Sequence, residues 1–295
     1  MVVVQISVLA KVSGNVNADE VVGTRITLKK MYSSSGEVLP FVSARAIKHA
    51  IRDAFKERGF DIDPFVEDPK AAETLRLRDA GDPEKYIDND LFGYMVTTGR
   101  GETARRRQAP IAFSYLKALR DTPIKAEFAA RFPRVGEKEK NPVPFEIEVA
   151  DFVGKVNCLI YDNVGKFSAD ELGEKEGKEL DKDEREKRLR AFLEIFLTPS
   201  YVLPKRTNSL NIPDYILALV ALSKTPAPIY QYLDFDFSQS MPDLDKLKEL
   251  TKREDVKSIV QEYLIIDYFG GLPGIEGLEK VSVKDAISKI TRFLL

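Results

Sequence analysis

The sequence predicts an α+β protein, and three observations carry that expectation. "VVVQISVLAKVS" (residues 2–13) alternates apolar and polar side chains. "VSARAIKHAIRDAFKERGF" (42–60) repeats its apolar residues at helical spacing. Further strand-like and helix-like segments then follow without a regular βαβ alternation. Strands and helices mixed in that way place sheet and helices in one α+β body rather than in a doubly wound one.

The elements follow in chain order. Val2, Val4, Ile6, Val8, Ala10 and Val12 share one face of a period-two segment, with Gln5, Ser7 and Lys11 on the other, which predicts a half-buried strand. Gly14, Asn15, Asn17 and Gly23 in "GNVNADEVVGT" are turn residues. The 43–59 helix has Ser43 as N-cap and Gly59 as its stop, and buries Ile47, Ala50, Ile51, Ala54 and Phe55. Arg45, Lys48 and Arg52, spaced i, i+3, i+7, form a basic stripe on another side. Residues 61–108, rich in Asp, Pro and Gly, form an insertion, partly helical around 70–78. "IAFSYLKALR" resumes regular structure. "RFPRVGEKEKNPVPFEIEVADF" is a β-hairpin with a polar tip. "GKVNCLIYDNVGKF" is a strand with Val156, Cys158 and Ile160 on one face. "ELDKDEREKRLRAFLEIFL" is a helix whose charged first half is a solvated face, and "PDYILALVAL" is a buried strand by its length. The C-terminal region, 240–295, is helical and includes a helix capped by Ser282.

The chain has 295 residues, 43% of them hydrophobic and 31% charged, with no Trp, one Cys and one His. The high charge and scarcity of labile residues fit a heat-adapted protein. One cysteine excludes an intrachain disulfide and a cysteine-cluster zinc site, and one histidine excludes a histidine-rich metal site. The first residues lack a charged leader and a cleavage pattern, and the longest apolar run is too short to span a bilayer, so a cytoplasmic protein away from membranes is expected. No phosphate-binding GxxxxGK[ST] loop and no GxGxxG after a strand is present. His49 lies on the basic helix and suits a structural or phosphate-contacting role better than a catalytic one. "DND" (88–90) suits a turn better than a hard-cation site. No cofactor and no metal are expected.

The net charge of −2 conceals segregation. Residues 24–58 carry eight bases against three acids; residues 61–90 carry ten acids against four bases. "GRGETARRRQAP" (99–110) has four arginines and one glutamate, and residues 117–140 have seven bases and four acids. Alternating signs suit a basic face that meets a polyanion, or the acidic face of a sister copy. Single-stranded nucleic acid fits best. Lys and Arg track phosphates, the Ser43 helix N-terminus offers free N–H groups, and Asn15 and Asn17 can bond sugars or base edges. Phe92, Tyr94, Phe113 and Phe132 could stack on bases, although core or inter-subunit packing is the commoner use of such rings.

"GNVNADEVVGTRITLKK", "PFVSARAIKHAIRD", "DNDLFGYM", "RRRQAPIAFS" and "NPVPFEIEV" together, in this order over about the first 165 residues, resemble the DevR-type CRISPR-associated autoregulator family. "KRTNSLNIPD" resembles a further family segment. It departs in one respect: "LPKRTNSLN" lacks the glycine-rich turn that relatives often carry before the arginine. The resemblance implies one RRM-like (ferredoxin-like) palm spanning 1–295, with a finger insertion at 61–108 and a protruding thumb hairpin at 121–148. It implies a non-catalytic backbone subunit of a type I (Cascade) interference complex. Its partners would be guide RNA (crRNA), copies of itself arranged head to tail, other Cascade subunits, and target DNA through the guide. Asn15, Asn17, Lys29, Lys30, Ser43, Arg45, Lys48 and Arg52 fall in segments implied to lie near the guide's phosphates. Arg105, Arg106 and Arg107 fall at the return from the finger, and Lys205 and Arg206 in the late segment. Two other readings stay open. One is a metal-dependent ribonuclease of the type III backbone kind using Asp19. The other is a duplex-DNA-binding transcriptional autoregulator, although no helix-turn-helix pattern is found.

Overall fold

The computed structural model describes residues 2–16, 18–67, 77–96, 104–131, 142–204 and 211–295. Asn17, Phe132, Lys205, Arg206, the 132–141 tip of the predicted hairpin and most of 70–78 lie outside them, as does the side chain of Asp19.

Strand Val3–Val12 is the spine of a nine-stranded sheet. It pairs antiparallel with Phe152–Tyr161 on one side and with Asp214–Ser223 on the other. Beyond Phe152–Tyr161 lie Leu116–Ala118, Val38–Val42 and Lys30–Tyr32, and Ile111–Phe113 also pairs with Phe152–Tyr161. Beyond Asp214–Ser223 lie Val260–Asp267 and, parallel to it, Glu279–Lys280. The inner path is strand Val3–Val12, helix Ala44–Glu57, the 111–118 strands, strand Phe152–Tyr161, helix Lys182–Leu197, strand Asp214–Ser223. Numbered along the chain, its strands stand in the spatial order 4-1-3-2, the split βαβ arrangement of the ferredoxin-like fold.

Two layers cover this sheet. Helices Ala44–Glu57, Lys182–Leu197 and Val283–Leu294 bury Ile47, Phe55, Phe192, Phe196 and Ile290 against Val4, Ile6, Val8, Val156, Cys158 and Ile160. On the opposite face, Ile229, Leu233, Leu247, Leu250 and Val256 pack on Leu9, Leu217 and Leu219. The Gln5 amide fastens this second layer, donating to Ala227 O (2.9 Å) and accepting from Ala227 N (2.6 Å). Lys155 Nζ does the same, donating to Tyr230 O and Leu233 O, both at 2.8 Å. Strand Val3–Val12 is therefore buried on both faces, and only Lys11 is exposed. The half-buried expectation is corrected for a physical reason: Gln5 and Ser7 are polar because they hydrogen-bond inside the protein. Gln5 clamps Ala227, and Ser7 Oγ donates to Asn157 Oδ1 at 2.7 Å.

A second sheet of four strands runs Lys125–Arg131, Val143–Val149, Arg25–Leu28, Ala18–Val22. Its first two strands are the arms of the predicted hairpin, paired from Lys125↔Val149 to Arg131↔Val143. The segment read as turn chemistry, 14–24, is only partly so. Gly14 and Gly23 have positive φ (88° and 63°), but Ala18–Val22 between them is a strand. Glu148 joins the two sheets: its carboxylate accepts from Leu28 N at 3.0 Å and from Lys30 Nζ at 3.2 Å.

Other expectations need correction. Residues 77–78 are strand, paired with Val66–Glu67. Asp88–Asp90 lie in a helix, Ile87–Phe92, not in a turn. Residues 240–295 are not wholly helical, since Val260–Asp267 is an eight-residue strand of the main sheet. The face of helix Lys182–Leu197 that carries Arg185 and Arg188 is buried, not solvated. No helix among the described residues is long and apolar enough to cross a membrane.

Candidate nucleic-acid interface

Helix Ala44–Glu57 has the predicted cap: Ser43 Oγ accepts from Ala46 N at 3.2 Å. The helix starts directly after strand Val38–Val42, at the edge of the main sheet. On that edge Phe41 and Tyr115 stack, ring centroids 4.9 Å apart and planes at 23°. Lys117 pairs in register with Phe41, on the face opposite buried Val42 and Leu116. Phe41 N donates to Lys29 O at 3.1 Å, and Lys30 faces Pro40 in the next strand pair. The pairing sets Lys29 beside half-buried Phe41, two residues before Ser43, whereas Lys30 lies with Pro40 on the opposite face and pairs with Glu148 at 3.2 Å, so the structure does not bring Lys30 to the stack. Tyr115, Lys117 and Arg45 are all exposed.

This surface is the uncovered remainder of a sheet face. In an RRM that face bears the aromatics on which bases stack. Here the 227–256 layer covers its Val3–Val12 and Asp214–Ser223 part and reaches Lys155, while no described residue covers the Leu116–Ala118 and Val38–Val42 part, where Tyr115 and Lys117 are exposed.

The basic stripe divides along its length. Arg45 is exposed. Lys48 folds back, its Nζ 3.4 Å from Phe92 O and 5.3 Å from the Phe92 ring centroid. Burial, then the charge of Arg52, holds its pKa below the ordinary lysine value. Arg52 Nε donates to Asp88 Oδ2 at 2.8 Å. Burial pushes the Asp88 carboxyl up, against the pull of Asp63 N–H and Arg52. His49 is exposed, its Nδ1 3.1 Å from Asp53 Oδ2 one turn on.

The arginine run divides more sharply. Arg106 is exposed on strand Arg105–Arg107, opposite Met95. Arg105 Nη1 donates to Leu172 O at 2.7 Å. The Arg107 guanidinium is wholly buried: it donates to Asp90 O and Oδ1, Lys166 O, Asn163 O and Glu171 Oε2 at 2.8–3.1 Å. Arg188 Nη1 reaches the other Asp90 oxygen at 3.1 Å. Burial raises the Asp90 pKa, and the two guanidiniums oppose it. Arg107 is therefore no phosphate contact in this fold, which corrects the expectation. So is Asn15, whose side chain is buried and donates to Glu148 O at 2.7 Å. Phe92 and Tyr94 are buried, and Phe113 packs among Phe92, Phe192 and Phe196, so these rings are core and not stacking platforms. Among the described residues, no group of three His, Cys, Asp or Glu could hold a metal ion.

Phe41, Tyr115 and Lys117 were not singled out from the sequence. The signal for Tyr115 and Lys117 was the period-two run "SYLKA", in which Leu116 and Ala118 are the buried set.

No curated protein matches the chain. Two of the solved structures that share its fold are chains of CRISPR surveillance complexes. A chain of a "CRISPR RNA-guided surveillance complex, pre-nicking" superposes with TM-score 0.64 at 12% identity, covering 99% of this chain and 100% of that one. A chain of a "CRISPR RNA-guided surveillance complex" gives TM-score 0.60 at 13% identity, with 98% and 99% covered. The family model described as "CRISPR-associated negative auto-regulator DevR/Csa2" matches residues 1–240. With most of its length matched and a ferredoxin-like palm underneath, the chain belongs to the CRISPR-associated DevR/Csa2 family.

Proposed function

We propose that this protein is a non-catalytic guide-RNA-binding subunit of a Cascade-type CRISPR surveillance complex. Copies assemble head to tail along the guide, alongside other subunits, and the guide reads target DNA by base pairing. The observation that supports this best is the open part of the palm face. A Phe41–Tyr115 stack, with Tyr115 exposed and Phe41 half-buried, lies there beside Lys117, and Phe41 stands two residues before the Ser43 cap of the basic helix. Rings accept bases of any sequence, and cations and a helix N-terminus accept phosphates, so the surface suits one strand held without sequence readout. The four-stranded sheet supports self-assembly. Val21 and Val143, on one of its faces with Ile26 and Ile147, are 55% and 60% exposed. Two exposed valines on a strand face, with Arg131 and Glu127 beside them, suit contact with a neighbouring copy.

The test is a competition. Purified protein is offered a labelled single-stranded RNA against unlabelled RNA or duplex DNA. RNA should compete and duplex DNA of equal length should not. Preference for the duplex would favour the autoregulator that the family's description names. Incubation with guide and complementary RNA plus Mg²⁺ or Mn²⁺ should leave the RNA intact; cleavage lost in Asp19→Ala would move the protein to the ribonucleases.

A further inference from the structure

A second aromatic and basic surface lies at the root of the four-stranded sheet. Two clefts, of about 390 and 300 Å³, are joined through Lys11, Phe235 and Ser240, which line both. Both volumes lie at or above the lower end of small-ligand sites, roughly 300–1,000 Å³. In the first cleft the Arg120 guanidinium lies 3.6 Å from the Phe237 ring centroid, and Phe237 meets Phe235 edge to face at 5.0 Å. In the second, Lys11 Nζ lies 5.1 Å from the Phe269 ring centroid, and Phe269 is 62% exposed.

Neither cation has a carboxylate partner among the described residues; each rests on a ring instead. Three carboxylates border the clefts, and two of these are bound by their own chain. Asp121 accepts from Val38 N at 2.7 Å, and Asp267 accepts from Lys280 Nζ at 2.7 Å and from the N–H groups of Gly270 and Leu272. Asp151 is the third. Gly270 and Gly271, with φ of 76° and 93°, have open space where a Cβ would stand, so the backbone beside Phe269 leaves its cleft unobstructed.

We infer that these linked clefts bind nucleotides of a single strand by their bases, as a second site beyond the Phe41–Tyr115 surface. Exposed Phe269 and half-buried Phe237 each carry a cation on one side and so offer an apolar ring with positive charge beside it. That combination suits a base with its phosphate, and base–aromatic stacking tolerates any sequence. An acidic peptide would engage the cations and leave the rings unused. The chain links the two sites directly: Lys117 and Arg120 are three residues apart on the segment that leaves the open sheet face, and Thr122 N donates to Val38 O at 2.9 Å. This inference rests on the RNA-binding reading above.

The experiment is equilibrium binding of fluorescein-labelled oligouridine RNA to the full chain, over a range of salt concentrations. Five proteins are compared: wild type, Phe237→Ala/Phe269→Ala, Phe237→Tyr/Phe269→Tyr, Lys11→Ala/Arg120→Ala, and Arg45→Glu. Losing both rings should weaken binding tenfold or more and leave the salt slope unchanged, because no phosphate contact is removed. Losing both cations should lower that slope by about 1.4. Phe237→Tyr/Phe269→Tyr should restore the lost affinity, which separates stacking from a folding defect. If Arg45→Glu weakens binding but the ring variant binds as wild type does, the second site is wrong and the RNA-binding reading stands. If wild type binds no RNA, that reading fails first. If labelled polyglutamate binds wild type and loses that binding in Lys11→Ala/Arg120→Ala, while the ring variant binds RNA as wild type does, the clefts dock an acidic peptide and the inference is overturned.

Discussion

Arg105, Arg106 and Arg107 are adjacent in sequence, yet their neighbours give them three different roles. Strand alternation sends Arg106 outward and Arg107 inward, where two oxygens of Asp90 and three further acceptors hold it. Removing one partner of a buried ion pair strands the other charge in low dielectric, which costs about 3–5 kcal/mol. Arg107→Ala should therefore lower the urea midpoint markedly, while Arg106→Ala stays within about 0.5 kcal/mol of wild type and acts on RNA affinity alone. Urea titration of both variants checks this; equal losses would contradict the burial asymmetry. Nothing in "ARRRQ" identifies the inward arginine, because Asp90 is 17 residues away and Arg188 another 98 beyond Asp90. Asp267 gives a pH-dependent counterpart. Burial would raise its pKa, but Lys280 and the N–H groups of Leu272 and Gly270 more than offset this and hold it below the ordinary value. A depressed folded pKa stabilises fully above the unfolded value, about 3.9, and that stability is lost as pH falls through the folded value. Stability of the wild type should drop more steeply below about pH 4 than that of Asp267→Asn, as urea midpoints across that range would show.

Elements with strong local chemistry were legible from the sequence. The cap, apolar face and stop of helix Ala44–Glu57 follow from Ser43, the Ile47–Phe55 spacing and Gly59, whose φ is 81°. Ser43→Ala should cost about 1 kcal/mol and Ser43→Gly only a few tenths, measurable by thermal unfolding. Strand Asp214–Ser223 was likewise legible from its length and apolar run. Strand Ala18–Val22 was missed, because Gly14, Asn15 and Gly23 around it signal turns while its pairing comes from a hairpin with Arg25–Leu28. Strand Val260–Asp267 was missed because helices flank it and its partner lies some 45 residues earlier. The four-stranded sheet also supplies a prediction. Val21→Lys with Val143→Lys places charge on its exposed face at positions that contribute little to the fold. Unfolding should change within about 0.5 kcal/mol per site. Light scattering on RNA should show shorter assemblies, and assemblies identical to wild type would mean this face does not meet a sister copy.

At the scale of the whole molecule, the sequence pattern carried the α+β class, and the family motifs implied the palm. What it did not carry was which part of the palm stays open. That depends on residues 227–256 folding back over the sheet, held by Gln5 and Lys155 from two different strands. The covering layer leaves the aromatic stack, Lys117 and the start of the basic helix on one continuous edge. Single-stranded RNA binding through that edge is most directly tested by the salt dependence of affinity for wild type and for Arg45→Glu with Lys117→Glu. Each phosphate contact on a single strand contributes roughly 0.7 to the slope of log affinity against log salt. The expected result is weaker binding to every RNA sequence and a slope lower by about 1.4 in the double variant. Unchanged affinity and slope, in a variant that melts as the wild type does, would contradict an RNA path across this edge.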